Sequence, residues 1–169
     1  MPDPFIRPAR PADIPGVLAI YNDAVLHTTA VYTYDPLTLE MMQQWYKEKT
    51  EKNLPVYIAE VDGSVAGFAS YGPFRSWPAY KYTVEHSIYV SKDFRRQGIA
   101  KKLLQSLIDT AQKMNVHTIV AGIDSQNGES IHLHKNFGFQ EVGQLSEVGY
   151  KFDRWLDLKF MQLILSPNI

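Results

Sequence analysis

The sequence predicts a mixed α/β domain, on three observations. Segments whose apolar residues recur at helical spacing alternate with short β-branched and aromatic runs that read as strands. Asp62-Gly63 separates two such runs, Val56 to Val61 and Val65 to Tyr71, and supplies the φ > 0 geometry of a tight hairpin. The 169 residues are 45% hydrophobic and 21% charged, without a repeat or long linker, which suits a single domain over 1–169 with a sizeable core.

Taken in order, Phe5 to Pro8 fits a short first strand. Asp13 is placed as the N-cap of a helix carrying Ile14, Val17, Leu18, Tyr21 and Val25 at helical spacing, with Pro15 tolerated in its first turn. A Thr- and Tyr-rich loop covers His27 to Pro36. A second helix is expected over Leu37 to Lys52, with Leu39, Met42, Trp45 and Tyr46 inward and Lys47, Glu48, Glu51 and Lys52 outward. After the hairpin, Gly72 to Tyr80 is a loop rich in proline and aromatic residues. Thr83 to Val90 reads as a central strand, and Gly98 to Met114 as a helix burying Leu103, Leu104, Leu107, Ile108 and Ala111. Thr118 to Ile123 is apolar enough for a strand buried on both faces. Gly128 to Asn136 is a short helix, and Trp155 to Leu165 is strand-like and too apolar for a loose tail.

Composition excludes several classes. A net charge of −1 argues against a general nucleic-acid or membrane-surface binder, although the basic residues between Arg95 and Lys102 form a local patch. The absence of cysteine excludes disulfides, thiolate metal sites and a cysteine nucleophile, so direct transfer is favoured for any acyl chemistry, and no metal is expected. Met1-Pro2-Asp3-Pro4-Phe5 lacks the basic start and apolar core of a signal peptide. No run approaches the roughly 18 apolar residues of a membrane span, so a cytoplasmic location is expected.

The stretch from Ile88 to Leu104 is the most informative. It reads as a strand, a basic glycine-containing turn and the start of an amphipathic helix. A helix N-terminus presents unpaired N–H groups and the positive end of the macrodipole to an anion. Gly98 permits close backbone approach, Ala100 intrudes little, and Arg95, Arg96, Lys101 and Lys102 add positive charge. An ordinary strand-to-helix turn with solvated basic residues would look the same taken alone. Neither G-x-x-x-x-G-K-[ST] nor a strand-following G-x-G-x-x-G occurs, which sets aside P-loop and Rossmann nucleotide sites.

This turn, Arg95-x-x-Gly98-x-Ala100, resembles the R-x-x-G-x-[GA] turn of the GNAT superfamily of N-acetyltransferases. There it holds the pyrophosphate of acetyl-coenzyme A, so the resemblance implies acetyl-CoA as co-substrate. Its contacts would be Arg95, Arg96, Gln97, Gly98, Ile99, Ala100 and Lys101. The element order is similar too, implying a mixed, mostly antiparallel central sheet flanked by helices. Further segments resemble the phosphinothricin and methionine-sulfoximine acetyltransferase branch over Ile6 to Leu165. They are Gly72 to Tyr80, Thr83 to Ser87, Ser125-Gln126-Asn127, Leu133-His134 to Gly138-Phe139, and Lys151 to Asp157.

From the superfamily come several further implications. The main chain of Ile88, Tyr89 and Val90 would face the thioester, and Asn127 would bond the cofactor arm, with Asn136 a weaker candidate. His134 stands where many members carry the tyrosine that protonates the leaving thiolate. An imidazole can do that, but a lone helical histidine is more often structural. The branch further implies a homodimer and a small-molecule amine as partner.

The chemistry itself asks for a base, because an amine with a pKa of about 9 is mostly protonated at neutral pH. Glu85, on the strand running into the phosphate turn, is the candidate; a strand carboxylate paired with a cation is the alternative. Arg75 can grip a carboxylate with two parallel bonds, and it lies among Phe74, Trp77 and Tyr80. Phe74, Arg75, Ser76, Trp77, Glu85, His86 and Ser87 are therefore the expected substrate contacts. The Tyr32 and Tyr34 loop either closes that pocket or joins a dimer contact. The expected function is acetyl-CoA-dependent acetylation of the α-amine of a small amino acid or analogue. Methionine sulfoximine, methionine sulfone and phosphinothricin are the ligands implied. A peptide N-terminus or aminoglycoside acceptor, or a non-catalytic acyl-CoA sensor, remain the alternatives.

Overall fold

The computed structural model describes residues 2–166. Seven strands form one sheet: β1 (Phe5–Pro8), β2 (Val56–Val61), β3 (Ser64–Pro73), β4 (Thr83–Val90), β5 (Thr118–Asp124), β6 (Gln140–Lys151) and β7 (Arg154–Ile164). Their spatial order is β1-β2-β3-β4-β5-β7-β6, and only β4 and β5 run parallel. The expected mixed, mostly antiparallel sheet is therefore found. Asp62 and Gly63 have φ values of 48° and 75°, the turn geometry their sequence predicts between β2 and β3.

Four helices cover the two faces: α1 (Ile14–His27), α2 (Leu39–Glu51), α3 (Ile99–Lys113) and α4 (Gly128–Asn136). The apolar stripe of α3, with Leu103, Leu104, Leu107 and Ala111 fully buried, packs on one face with Ile119, Ala121 and Met161 of the sheet. On the other face Ile14, Val17 and Ile20 of α1 and Met42 of α2 pack against Ile58 and Phe68. Strand alternation divides β4 between these layers: Val84, Ile88 and Val90 join the α3 side, and Tyr89 joins the α1–α2 side. Among the described residues no helix is long and apolar enough to cross a membrane.

Two local expectations are corrected. The second helix starts at Leu39 rather than Leu37, because Thr38 caps it by accepting from the Met41 N–H at 3.2 Å. Leu39 is 41% exposed, since the helix turns Met42 and Trp45 toward the sheet instead. Asp13 precedes α1 but its side chain does not cap it. The carboxylate turns back to accept from the Arg10 N–H at 2.7 Å and from both terminal nitrogens of Arg7, at 2.8 and 2.9 Å. Arg7 also donates from Nε to Glu60 at 2.8 Å, so β1, β2 and the entry to α1 share one guanidinium.

The Arg7 bonds hold the Asp13 carboxyl below its ordinary value of 3.8. A depressed folded-state pKa adds stability that is complete above the unfolded value and is lost as pH falls through the folded one. Because Glu60 still pairs with Arg7, Asp13→Asn should cost about 2 kcal/mol in urea unfolding at pH 7. The gap from wild type should narrow below pH 4, and a gap that persists undiminished there would refute the ionic origin.

Candidate active site

The parallel ladder between β4 and β5 is short. It runs Thr83↔Thr118, Val84↔Ile119 and Glu85↔Val120, and then stops although both strands continue, to Val90 and Asp124. From His86 onward the β5-facing edge of β4 has no ladder partner, while its other edge stays paired with β3 as far as Gly67↔Val90. A wedge-shaped opening follows, flanked by main-chain groups of residues 88–90, and Glu85 stands at its apex.

Glu85 opens onto two cavities on the α1–α2 side of the sheet. The first, of about 400 Å3, has Glu85, Gly122 and Asp124 on its floor and Leu158 and Phe160 of β7 as one wall. Thr29, Ala30 and Tyr32 of the α1–α2 loop lie over it, and Phe74 and Arg75 complete it. Burial raises the pKa of Glu85 and the positive charge of Arg75 opposes that rise. Arg75 itself lies 5.3 Å over the Phe74 ring. Ser87 does not reach this cavity but lines the second one, of about 140 Å3, with Tyr89 and side chains from α1 and α2.

The turn after β4 has the expected shape. Gly98 adopts φ 75°, immediately before α3, and no side chain caps the helix there. Its first N–H groups are thus left for a ligand. Arg95, Arg96 and Lys101 are exposed around it, with Gln97 and Ala100 half-buried and Ile99 packed into the core. Arg96 reaches Glu129 only at 3.5 Å between exposed side chains. Lys102 faces away and bonds the Pro4 carbonyl at 3.2 Å. Asn127 caps α4, its side-chain oxygen accepting from the Ser130 N–H at 3.1 Å, and Asn136 is exposed at the far end of that helix.

Two expected contacts are displaced to the other face. His86 follows Glu85 on an extended strand, so it points to the α3 side, where it packs against His134 and Phe139. The two imidazoles lie edge to edge, 5° from parallel, with centroids 5.0 Å and Nε2 atoms 2.9 Å apart, and Nδ1 of His134 lies 2.6 Å from the Ser130 carbonyl. That carbonyl requires a proton on Nδ1, so the neutral His134 ring accepts at Nε2 from the Nε2–H of His86. Burial, followed by the proximity of His134, pushes the His86 pKa down to about 3, and burial lowers that of His134 as well. His134, 3% exposed, therefore has no proton at Nε2 to give a thiolate, and His86 cannot touch a ligand beside Glu85. Ser76 and Trp77 are likewise outside both cavities, Trp77 being 72% exposed on its loop.

Residues 18–139 match the family model described as the acetyltransferase (GNAT) family. The chain is 47% identical over 164 residues to the L-methionine sulfoximine/L-methionine sulfone acetyltransferase of Pseudomonas aeruginosa, covering 96% of this chain and 95% of that one. It superposes with TM-score 0.96 on an N-acetyltransferase from Staphylococcus aureus Mu50, at 51% identity over 97% of this chain and 99% of the other. A phosphinothricin acetyltransferase from Sinorhizobium meliloti, in complex with AcCoA, superposes with TM-score 0.94 at 34% identity, covering 96% and 89%. The chain belongs to the GNAT family. It is an acetyl-CoA-dependent N-acetyltransferase.

Within this GNAT enzyme several residues in or behind the cavity carry no local sequence signal. Asp124 ends β5 buried, accepting from the Thr29 hydroxyl and from the Gln126 N–H at 3.0 Å, so it ties the overlying loop to the floor. Lys151, also buried, donates to the Thr28 and Val31 carbonyls at 2.7 and 2.8 Å and fixes the same loop from β6. Gly122 has no side chain where one would enter the cavity: a Cβ there would stand 3.5 Å from Leu158 and 3.9 Å from the Glu85 carboxylate.

Those are ordinary contact distances, so the fold accepts a small side chain at Gly122 while the cavity loses volume. Gly122→Val is expected to change unfolding stability by less than about 1 kcal/mol. It should reduce kcat/KM for the amine acceptor by about tenfold or more through misplacement. Unchanged kcat/KM would show that the acceptor does not use this cavity.

Proposed function

We propose that this enzyme acetylates the α-amine of a small amino acid or analogue, of the methionine sulfone, methionine sulfoximine or phosphinothricin type, by direct transfer from acetyl-CoA. One observation carries the reading: the carboxylate of Glu85 and the guanidinium of Arg75 share one cavity at the apex of the β4–β5 opening. The name of the P. aeruginosa relative supports the substrate class.

The residues present fit acetyl-CoA. Main chain at 88–90 lies along an opened ladder, and an uncapped helix start lies beyond Gly98 with basic side chains around it. Acetyl-CoA supplies the activated acetyl group; Arg95, Arg96, Gln97, Gly98, Ile99, Ala100 and Lys101 would hold its diphosphate, with Asn127 and Asn136 along the arm. Arg75 grips the acceptor's carboxylate, which places the amine at Glu85. Glu85, its pKa raised by burial, takes the ammonium proton, directly or through one water, and frees the nitrogen lone pair. N–H groups on the open edge of β4 provide the fixed dipoles that favour negative charge on the acyl oxygen. With no cysteine to carry the acetyl group, direct transfer is favoured: the carbon–nitrogen bond would form first, the carbon–sulfur bond would then break, and the departing coenzyme A thiolate would take up the proton that the acylated nitrogen sheds.

The enzyme works in the cytoplasm as a homodimer in this reading. Val142, Leu145, Val148, Tyr150, Phe152 and Trp155 lie exposed along the β6–β7 hairpin, an apolar row of the kind a second copy covers. Light scattering at micromolar concentration should give twice the 19.3 kDa chain mass, and a monomer mass would remove the dimer.

Thiol release from acetyl-CoA, measured with a panel of small amino acids, a short peptide and an aminoglycoside, tests the reaction. Turnover should be confined to small carboxylated amines, with Arg75→Ala raising their KM about tenfold or more. Glu85→Gln should lower kcat about 10²- to 10⁴-fold with acetyl-CoA affinity unchanged. The acidic limb of the wild-type pH profile should lie above the ordinary glutamate value of 4.5 and vanish in that variant. Turnover on the peptide or aminoglycoside alone would overturn the acceptor class; binding of acetyl-CoA with no turnover would favour a sensor.

A further inference from the structure

The second cavity at Glu85 contains a cation that the mechanism above does not use. Lys49 projects from α2, its ammonium 5.7 Å over the ring of Trp45, one helical turn earlier, and it donates to the Tyr71 carbonyl at 2.8 Å. A Cβ built on Gly72 would lie 3.0 Å from that nitrogen, so the ammonium fills the space that a side chain at 72 would take. Gly72 is the residue of β3 directly opposite Glu85 in the antiparallel ladder. Lys49 therefore stands beside the base on the same face, yet no carboxylate pairs with it among the described residues. Aromatic side chains of Tyr21, Trp45, Phe68 and Tyr89 line the cavity beside it.

A half-buried ammonium with one carbonyl acceptor keeps donors to spare, and in an aromatic cavity they have lost much of their hydration. Burial, with Lys52 second, lowers its pKa to about 8, so it remains charged at neutral pH. An oxygen acceptor entering the cavity would satisfy it. The volume, about 140 Å3, holds roughly five water-sized groups of about 30 Å3 each, the size of a short side chain. Arg75 borders the first cavity, Lys49 the second, and Glu85 both. An α-amino acid has the matching three arms: a carboxylate toward Arg75, an amine at Glu85, and a side chain toward Lys49.

We infer that the second cavity takes the acceptor's side chain, and that Lys49 determines specificity by selecting an apolar stem that ends in an electron-rich oxygen. Sulfone, sulfoximine, phosphinate and side-chain carboxylate groups are the chemical class; thioether and alkyl ends of the same length are disfavoured. This rests on the acceptor reading proposed above, and it adds the residue that discriminates among acceptors.

The experiment compares kcat/KM for methionine sulfone and for methionine in wild type, Lys49→Met and Lys49→Arg. Wild type should favour the sulfone by about tenfold or more, as expected of a charge-assisted bond. Lys49→Met should reduce that ratio by about ten- to a hundredfold, chiefly through KM for the sulfone, and Lys49→Arg should retain it. A wild type that acetylates both equally overturns the inference even if no variant folds. A folded Lys49→Met with the wild-type ratio overturns it while leaving the acceptor class intact. A wild type inactive on every amino acid overturns the acceptor class, and the inference with it.

Discussion

The early end of the β4–β5 ladder is the constraint on which the rest of the molecule depends. Two parallel strands that stayed paired would satisfy each other's main chain and leave nothing for a ligand. Here they part after Glu85↔Val120, and each is held on its outer side by a long antiparallel ladder, β4 to β3 and β5 to β7. The opening can therefore persist inside a continuous seven-stranded sheet without loosening it. The candidate groups gather along its edges: Glu85 at its apex, the β4 main chain without a β5 ladder partner beyond, and the uncapped start of α3 at its mouth.

Electrostatics on the two faces of β4 differ sharply. On the α1–α2 side, Glu85 borders one cavity with Arg75 and another with Lys49, so a carboxylate raised by burial has a cation in each direction. On the α3 side, His86 and His134 are both held neutral, hydrogen-bonded to each other through Nε2 and edge-on to Phe139. The loop over the first cavity is anchored to Asp124 below and Lys151 behind, both buried.

Much of this was legible in the sequence where the signal is local. The Asp62-Gly63 hairpin, the strand Thr83–Val90 and the helix Gly128–Asn136 appear with the residues their patterns indicate, because turn chemistry and apolar spacing act within a few residues. Glu85 and Arg75, singled out in the sequence by their chemistry, line one cavity. What the sequence hid is tertiary. Asp13 looks like a cap but meets Arg7 from a neighbouring strand, and Leu39 fits a helical stripe that the packing of α2 turns outward. Lys49 looks like a surface lysine among Lys47, Glu48, Glu51 and Lys52 until Gly72, remote in sequence, makes room for it. The displacement of His86 was within reach of the sequence: neighbours on an extended strand cannot both face one ligand, and Glu85 and His86 are neighbours.

A crystal structure with coenzyme A and methionine sulfone bound together is the decisive measurement. The pantetheine arm should lie in the opening beyond Glu85↔Val120, and the acceptor's amine within hydrogen-bond reach of Glu85, directly or through one water. An arm lying elsewhere on the sheet, or an amine on the His86 face of β4, would contradict it.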